Sequence, residues 1–304
     1  MHPMTHSTKK VIFIIGPTAI GKTELSIKLA KKLNTEIISC DSRQFYKELN
    51  IGAAPPSTKE RSIVKHHFIQ NLSITENYNA GKFEIDAIRL IKELHQLNET
   101  VIVVGGSGLY IDAICKGFDS LPEISDSTRQ TIKEEYNTKG ISWLQKEVKN
   151  SDPEFYNSCD PKNPQRLSRA LEVFRETGKR FSQLKLRKIK NRPFKIIKIG
   201  LNIEREELYK RINKRVDIMM QNGLLREARS LSEFQNKNAL KTVGYQEIFQ
   251  FLNNQYSLEE SVKKIKQNTR RFAKRQLTWF RKDKEIKWFK PNQLIEINKF
   301  ISKL

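Results

Sequence analysis

The residues best suited to chemistry lie near the start of the chain, in GPTAIGKT at positions 16–23. Gly16, Pro17, Thr18, Ala19, Ile20, Gly21, Lys22 and Thr23 match the spacing G-x-x-x-x-G-K-[ST]. In such a loop the glycines let backbone N–H groups turn toward phosphate oxygens, and the helix that follows adds the positive end of its dipole. Lys22 supplies a cation for phosphate charge, and the Thr23 hydroxyl is a ligand for Mg²⁺. A chance glycine turn would need no particular flanks. Here an apolar run at 11–15 precedes the loop, and Leu25, Leu29 and Leu33 follow at four-residue spacing, so a buried strand leads into a helix. The motif therefore predicts a diphosphate and Mg²⁺ site without naming the reaction.

Phosphoryl transfer asks for more, because P-loop NTPases also use an Asp at the end of a later strand to help hold the metal. The best later strand runs into VIVVGGSGLY, where glycine stands in that place. The other candidate strand, EIISC, ends at Asp41. Asp41 suits three roles: an acid near the metal, a substrate-binding acid of a small-molecule kinase, or a general base. A turn or helix-capping acid after a strand is the structural alternative.

The elements that must position these groups alternate strand and helix. Strands are expected at 11–15, 36–40 and 101–106, with helices at 22–33 and 82–98, the order of a doubly wound sheet. The pattern breaks near Gly117. Residues 126–178 read as helices alone, an acid-free stretch at 178–195 carries eight Lys or Arg, and 194–201 reads as a strand returning to the sheet. The expected fold is α/β: a P-loop NTPase-like parallel sheet core with an inserted helical domain and a helical C-terminal region. Its parts are a catalytic core at 1–117, a helical insertion at 118–193, and core completion with basic helices at 194–304.

Composition adds a partner. The 304 residues include 56 Lys and Arg against 34 Asp and Glu, a formal net charge of +22, which suits a polyanion such as nucleic acid. A generally solubilising basic surface is the alternative. The three cysteines show no C-x-x-C spacing and so give no metal site. No apolar run approaches membrane-spanning length and the N-terminal residues lack an apolar signal core, so no membrane and a cytoplasmic location are expected.

Taken together, GPTAIGKT, ISCDSRQFY, VVGGSGLY, NPQRLSRALEVFRETG and NTRRFAKRQLTWFR, in this order across residues 11–281, resemble the tRNA dimethylallyltransferases, also called tRNA isopentenyltransferases. The resemblance implies transfer of a dimethylallyl group from dimethylallyl diphosphate to N6 of the adenosine 3′ to a tRNA anticodon (position 37). Mg²⁺ and the P-loop would then hold the diphosphate, in place of the aspartate-rich motif of other prenyltransferases. The resemblance also implies Asp41 as the base for the adenosine amine. Ser107, where Thr is commoner in the family, becomes a hydrogen-bonding partner in catalysis, and Ser42, Arg43 and Gln44 join it in seating the tRNA.

Further contacts with the anticodon stem-loop follow by the same resemblance: Arg129; Gln165, Arg166, Leu167, Ser168 and Arg169 in PQRLSRA; and Lys241, Gly244 and Tyr245 in KTVGYQE. Arg211 and Arg215, four apart on one helix face, are candidate diphosphate contacts, although an ordinary solvated face explains their spacing equally well. At 262–280, Val262, Ile265, Thr269, Phe272, Gln276 and Trp279 form an expected packing stripe, with Trp279 and Phe280 read as core aromatics and base stacking as the alternative. Arg270, Arg271, Lys274 and Arg275 form a basic ridge beside it, suited to tRNA phosphates. His66 and His67 are assigned no role. Nothing argues for a dimer, so a monomer is expected. The competing functions are a nucleotide or small-metabolite kinase, which would bind ATP, and a non-catalytic RNA-binding protein.

Overall fold

Parallel strands bury both faces of their sheet, which is why β1 (Lys10–Ile15) and β4 (Thr100–Gly105) are nearly uninterrupted apolar runs. The computed structural model describes residues 9–119, 121–185 and 189–303. They fall into two units, one built from Met1–Cys115 with Arg192–Leu304 and the other from Lys116–Asn191. The expected insertion was 118–193.

In the first unit β2 (Ile37–Ser39), β3 (His66–His67), β5 (Lys195–Leu201) and β6 (Lys287–Phe289) join β1 and β4 in a six-stranded sheet of order β3-β2-β4-β1-β5-β6. Every pairing is parallel, with Ile12 opposite Ile102 on one side and Ile197 on the other. Side chains alternate across β1: Val11, Phe13 and Ile15 enter one core cluster, while Ile12 and Ile14 enter the other. The helices of this unit are α1 (Lys22–Leu33), α2 (Thr58–Ile63), α3 (Ala80–Leu97) and α4 (Gly108–Lys116). After the second unit come α9 (Arg205–Gln221), α10 (Leu224–Ser230), α11 (Tyr245–Leu252), α12 (Leu258–Phe280) and α13 (Leu294–Ser302). β6 was not foreseen, since a Lys-Trp-Phe triplet carries no strand period of its own and is held by pairing with Ile199–Leu201.

The second unit holds α5 (Asp126–Ser151), α6 (Pro153–Ser158), α7 (Pro164–Thr177) and α8 (Phe181–Leu184). α5 breaks direction at Gly140, whose φ of 75° lies in the left-handed region that glycine tolerates. Its core gathers Ile132, Leu144, Val148, Phe155, Leu171 and Phe181. Asp152 is fully buried here. It is satisfied by the Phe155 N–H at 3.0 Å and by both the N–H and hydroxyl of Ser182 at 2.8 Å. Among the described residues no helix is long and apolar enough to cross a membrane.

Candidate active site

The cradle forms where β1 ends. Gly16 has φ 149°, and a Cβ there would lie 2.7 Å from the Leu201 carbonyl oxygen, so only glycine lets the loop leave the sheet beside β5. Ala19 and Gly21 also take positive φ, and Gly21 leads directly into α1. Lys22 folds back over this turn, its Nζ donating to the carbonyls of Gly16 at 3.0 Å and Pro17 at 2.7 Å. Burial pushes the Lys22 ammonium down to about 8, against the pull of Asp41 and with a further push from Arg215. Arg215, on α9, is itself lowered by burial and held up by Asp41. The three charges thus share one field, and Arg215 joins the cradle. Arg211, one turn away, is exposed and paired with Glu207 at 2.5 Å.

The side of the cleft that carries Asp41 is built by a close approach of two strand ends. The Cys40 N–H donates to the Val104 carbonyl at 2.7 Å. A Cβ on Gly105 would lie 2.2 Å from the Cys40 carbonyl oxygen, so a side chain at 105 would force the strands apart. Asp41 follows directly and accepts the Arg43 N–H at 3.1 Å through Oδ1. The Ser107 hydroxyl accepts the Ser42 N–H at 3.1 Å, joining the loops after β2 and β4. Gln44 is satisfied internally: it accepts from Ser39 Oγ at 3.1 Å and donates to the Ala54 carbonyl at 3.1 Å. The Arg43 guanidinium donates to the carbonyls of Asn238 at 2.7 Å and Lys241 at 3.4 Å, pinning the 238–241 turn.

The cradle and the Asp41 side open on one cleft of about 1140 Å³, which Lys22, Thr23, Asp41, Ser107, Arg215 and Trp279 all line. Its wall departs from the expected stripe on α12. The buried residues of that helix are Ser261, Ile265, Ala273, Gln276 and Phe280, while Phe272 and Trp279 are 37% and 40% exposed and face the cleft. The small Ser261 and Ala273 let the helix sit close to its neighbours, which turns the larger aromatics out of the seam. The Trp279 indole packs where a Cβ on Gly108 would lie, 2.5 Å from the ring, and donates to Asp112 at 3.0 Å. Phe280 is core, as expected. Arg271, Lys274 and Arg275 are exposed beside it, and Arg270 donates to Asn213 at 2.7 Å and lies over Tyr209.

Two residues expected at the tRNA have buried side chains. Leu167 is fully buried in the core of the second unit, because the α7 face that exposes Gln165 and Arg166 turns the next residue inward. Tyr245 is also fully buried: its ring fills the space beside Gly52 and its hydroxyl donates to Glu227 at 2.6 Å. The neighbouring Gly244 starts α11 at φ 100° and donates its N–H to Glu247 at 2.7 Å. In the second unit Arg129 pairs with Asp126, while Arg169 reaches Glu172 and the Pro122 carbonyl, each at 3.4 Å. Ser168 is half-buried. Within the basic stretch at 178–195, Arg187 and Lys188 lie outside the described residues.

Two residues that shape the cleft were missed. Gln276 was read as packing, yet it connects the cradle to the loop after β4. Glu227 accepts the N–H groups of Asn50, Ile51 and Gly52 at 2.8–3.0 Å and so holds one wall of the cleft. Neither has a local signal, since Thr18 and Gly106 lie more than a hundred residues from Gln276 and the 50–52 backbone lies more than a hundred residues from Glu227.

Among the described residues no group of three or more His, Cys, Asp or Glu is gathered to hold a metal ion. The cleft instead offers the Thr23 hydroxyl and the Asp41 carboxylate. That donor set suits Mg²⁺, which takes one or two protein oxygens and completes its shell with substrate phosphate and water.

A family model described as IPP transferase matches residues 44–283. The chain is 54% identical over 279 residues to a tRNA dimethylallyltransferase of Christiangramia forsetii, covering 92% of each chain. It is 50% identical over 288 residues to a tRNA dimethylallyltransferase 2 of Azobacteroides pseudotrichonymphae, covering 95% of this chain and 94% of that one. Among solved structures, the tRNA isopentenylpyrophosphate transferase of Bacillus halodurans matches with a TM-score of 0.72 and 35% identity over 97% of this chain and 96% of that chain. A eukaryotic dimethylallyltransferase captured acting on tRNA matches with a TM-score of 0.80 and 26% identity, over 97% of this chain and 80% of that one.

Proposed function

The chain belongs to the IPP transferase family, and from that premise we propose that it transfers the dimethylallyl group of dimethylallyl diphosphate to N6 of the adenosine 3′ to the anticodon of tRNA. The observation that carries this reading is one cleft in which a phosphate cradle, holding Lys22 and Arg215, faces the carboxylate of Asp41. A donor diphosphate and an acceptor amine need those two ends and a space between them.

In the reaction the C1–O bond of the donor breaks, the N6–C1 bond forms, and N6 loses one proton. Lys22 and Arg215 balance the negative charge that grows on the departing diphosphate. Asp41 takes the N6 proton as the new bond forms, because an amine conjugated with adenine is a weak nucleophile. Arg43 N–H holds one carboxylate oxygen of Asp41, which keeps the group from swinging away. When bound through the Thr23 hydroxyl, Mg²⁺ would supply further positive charge for the diphosphate oxygens and leave the Asp41 carboxylate free to take the proton. Leu109, Phe272 and Trp279, exposed on the cleft wall, give the isoprenoid and the adenine an apolar lining that excludes water.

The adenosine must leave its stack to enter such a site, as bases do for other enzymes that modify them. The basic residues of the second unit and the α12 ridge of Arg271, Lys274 and Arg275 hold tRNA phosphates in this reading, and one chain lines the whole cleft, so the reading needs no second subunit. The test is to incubate the protein with dimethylallyl diphosphate, ATP, Mg²⁺ and total tRNA. Prenylated tRNA with no nucleotide turnover supports the reading. ATP hydrolysis would point to a kinase, and binding alone to an RNA-binding protein.

A further inference from the structure

Gln276 is polar, only 6% exposed, and placed midway between the two halves of the cleft. Its Oε1 accepts the backbone N–H of Thr18 in the cradle at 2.9 Å. Its Nε2 donates to the carbonyl of Gly106, just ahead of Ser107, also at 2.9 Å. A carboxamide does both at once because it carries an acceptor and a donor on one rigid plane. Glutamate lacks the donor, and methionine, of similar length, lacks both groups. The site is shaped around this side chain: a Cβ on Gly106 would lie 2.3 Å from Gln276 Nε2. Gln276 itself is anchored in the buried seam of α12, between Ala273 and Phe280, while Phe272 and Trp279 on the same helix reach the cleft.

We propose that Gln276 is a positioning residue that sets the separation between the phosphate cradle and the acceptor loop. The inference rests on the reaction assigned above. The leaving diphosphate is held by the loop that contains Thr18, and the proton-accepting carboxylate sits on a loop tied to Ser107 through Ser42. One side chain joins the two, so the donor carbon and the acceptor amine meet at a fixed distance. Displacing reacting groups by about an ångström costs about 10²-fold in rate.

The test uses the full-length protein, Gln276→Met and Gln276→Glu. Hydrogen exchange at the Thr18 amide, measured without substrates, reports the bridge itself: Gln276→Met should exchange about tenfold faster, the equivalent of one lost hydrogen bond. Single-turnover transfer with donor and tRNA both saturating should fall about 10²-fold in Gln276→Met. Its affinities for inorganic diphosphate with Mg²⁺ and for tRNA should stay near those of the parent, and its thermal midpoint should fall only by the few degrees that the lost hydrogen bonds imply, with the protein fully folded at the assay temperature. Gln276→Glu keeps the acceptor for Thr18, so its amide should remain protected while transfer is still slow. It also serves as the second variant should Gln276→Met not fold. Unchanged exchange at Thr18, unchanged transfer, or a rate loss that merely follows lost affinity or lost folding would each overturn the proposal. A parent protein that transfers no prenyl group would remove the assigned reaction, while the exchange measurement still decides whether the bridge exists.

Discussion

The Ser107 hydroxyl accepts the backbone N–H of Ser42 at 3.1 Å and returns its own hydrogen to the Ser42 hydroxyl at 3.3 Å. The loop after β4 and the loop that carries Asp41 are therefore one hydrogen-bonded unit. Ser107→Ala leaves the Ser42 N–H without its acceptor, and turnover should fall about tenfold, the equivalent of one to two kcal/mol for an unsatisfied donor. Ser107→Thr keeps the oxygen and adds a methyl that narrows the rotamer choice, so its turnover should match the parent. Equal losses in both variants would show that the hydroxyl plays no part.

Asp41→Asn keeps the size of the side chain and its acceptor oxygen for Arg43 but removes the base. Turnover should fall by about two to four orders of magnitude with donor and tRNA affinities kept, the usual contribution of a positioned general base. Transfer at saturating substrates is the deciding measurement, and near-parental turnover would return Asp41 to a purely structural role.

Lys22 gives the cleft a pH dependence of known sign. Its ammonium is held down to about 8, chiefly by burial, and only the charged form attracts diphosphate. A bound diphosphate raises that value, so donor affinity is complete below about 8 and is lost as pH rises through it. KM for dimethylallyl diphosphate should be flat on the acid side and climb on the alkaline side. Removing the neighbouring cation by Arg215→Gln should shift the rise to higher pH, since Arg215 lowers Lys22. A midpoint that does not move would separate the two residues.

Adjacent residues of α7 should separate stability from tRNA binding. Leu167→Ala empties a fully buried position and should cost about 2–5 kcal/mol of stability in urea unfolding. Arg166→Ser, at an exposed position, should leave stability alone. It should flatten the slope of log tRNA affinity against log salt by a little under one unit, about 0.7–0.9. An unchanged slope would remove Arg166 from the phosphate contacts.

Much of the cradle was legible because its physics is local. A strand, a glycine turn, a lysine and a helix start lie within a dozen residues, and the backbone geometry they require is visible in residue types alone. The strand and helix alternation was legible for a similar reason: parallel strands buried on both faces must be apolar throughout, as β1 and β4 are.

What only the folded chain decided is which distant group each polar side chain meets and which way each helix face turns. Gln276 reaches Thr18 across 258 positions of chain and Gly106 across 170, and Arg43 meets Asn238 across 195. Spacing in sequence carries no trace of such partners. Leu167 and Tyr245 sat inside motifs that looked like contacts, and packing hid them. On α12 the aromatics were taken for core by their three-and-four residue spacing, but the buried seam holds Ser261 and Ala273 and leaves Phe272 and Trp279 at the cleft. Residue type sets what a side chain can do, while burial and the partner across the fold set what it does.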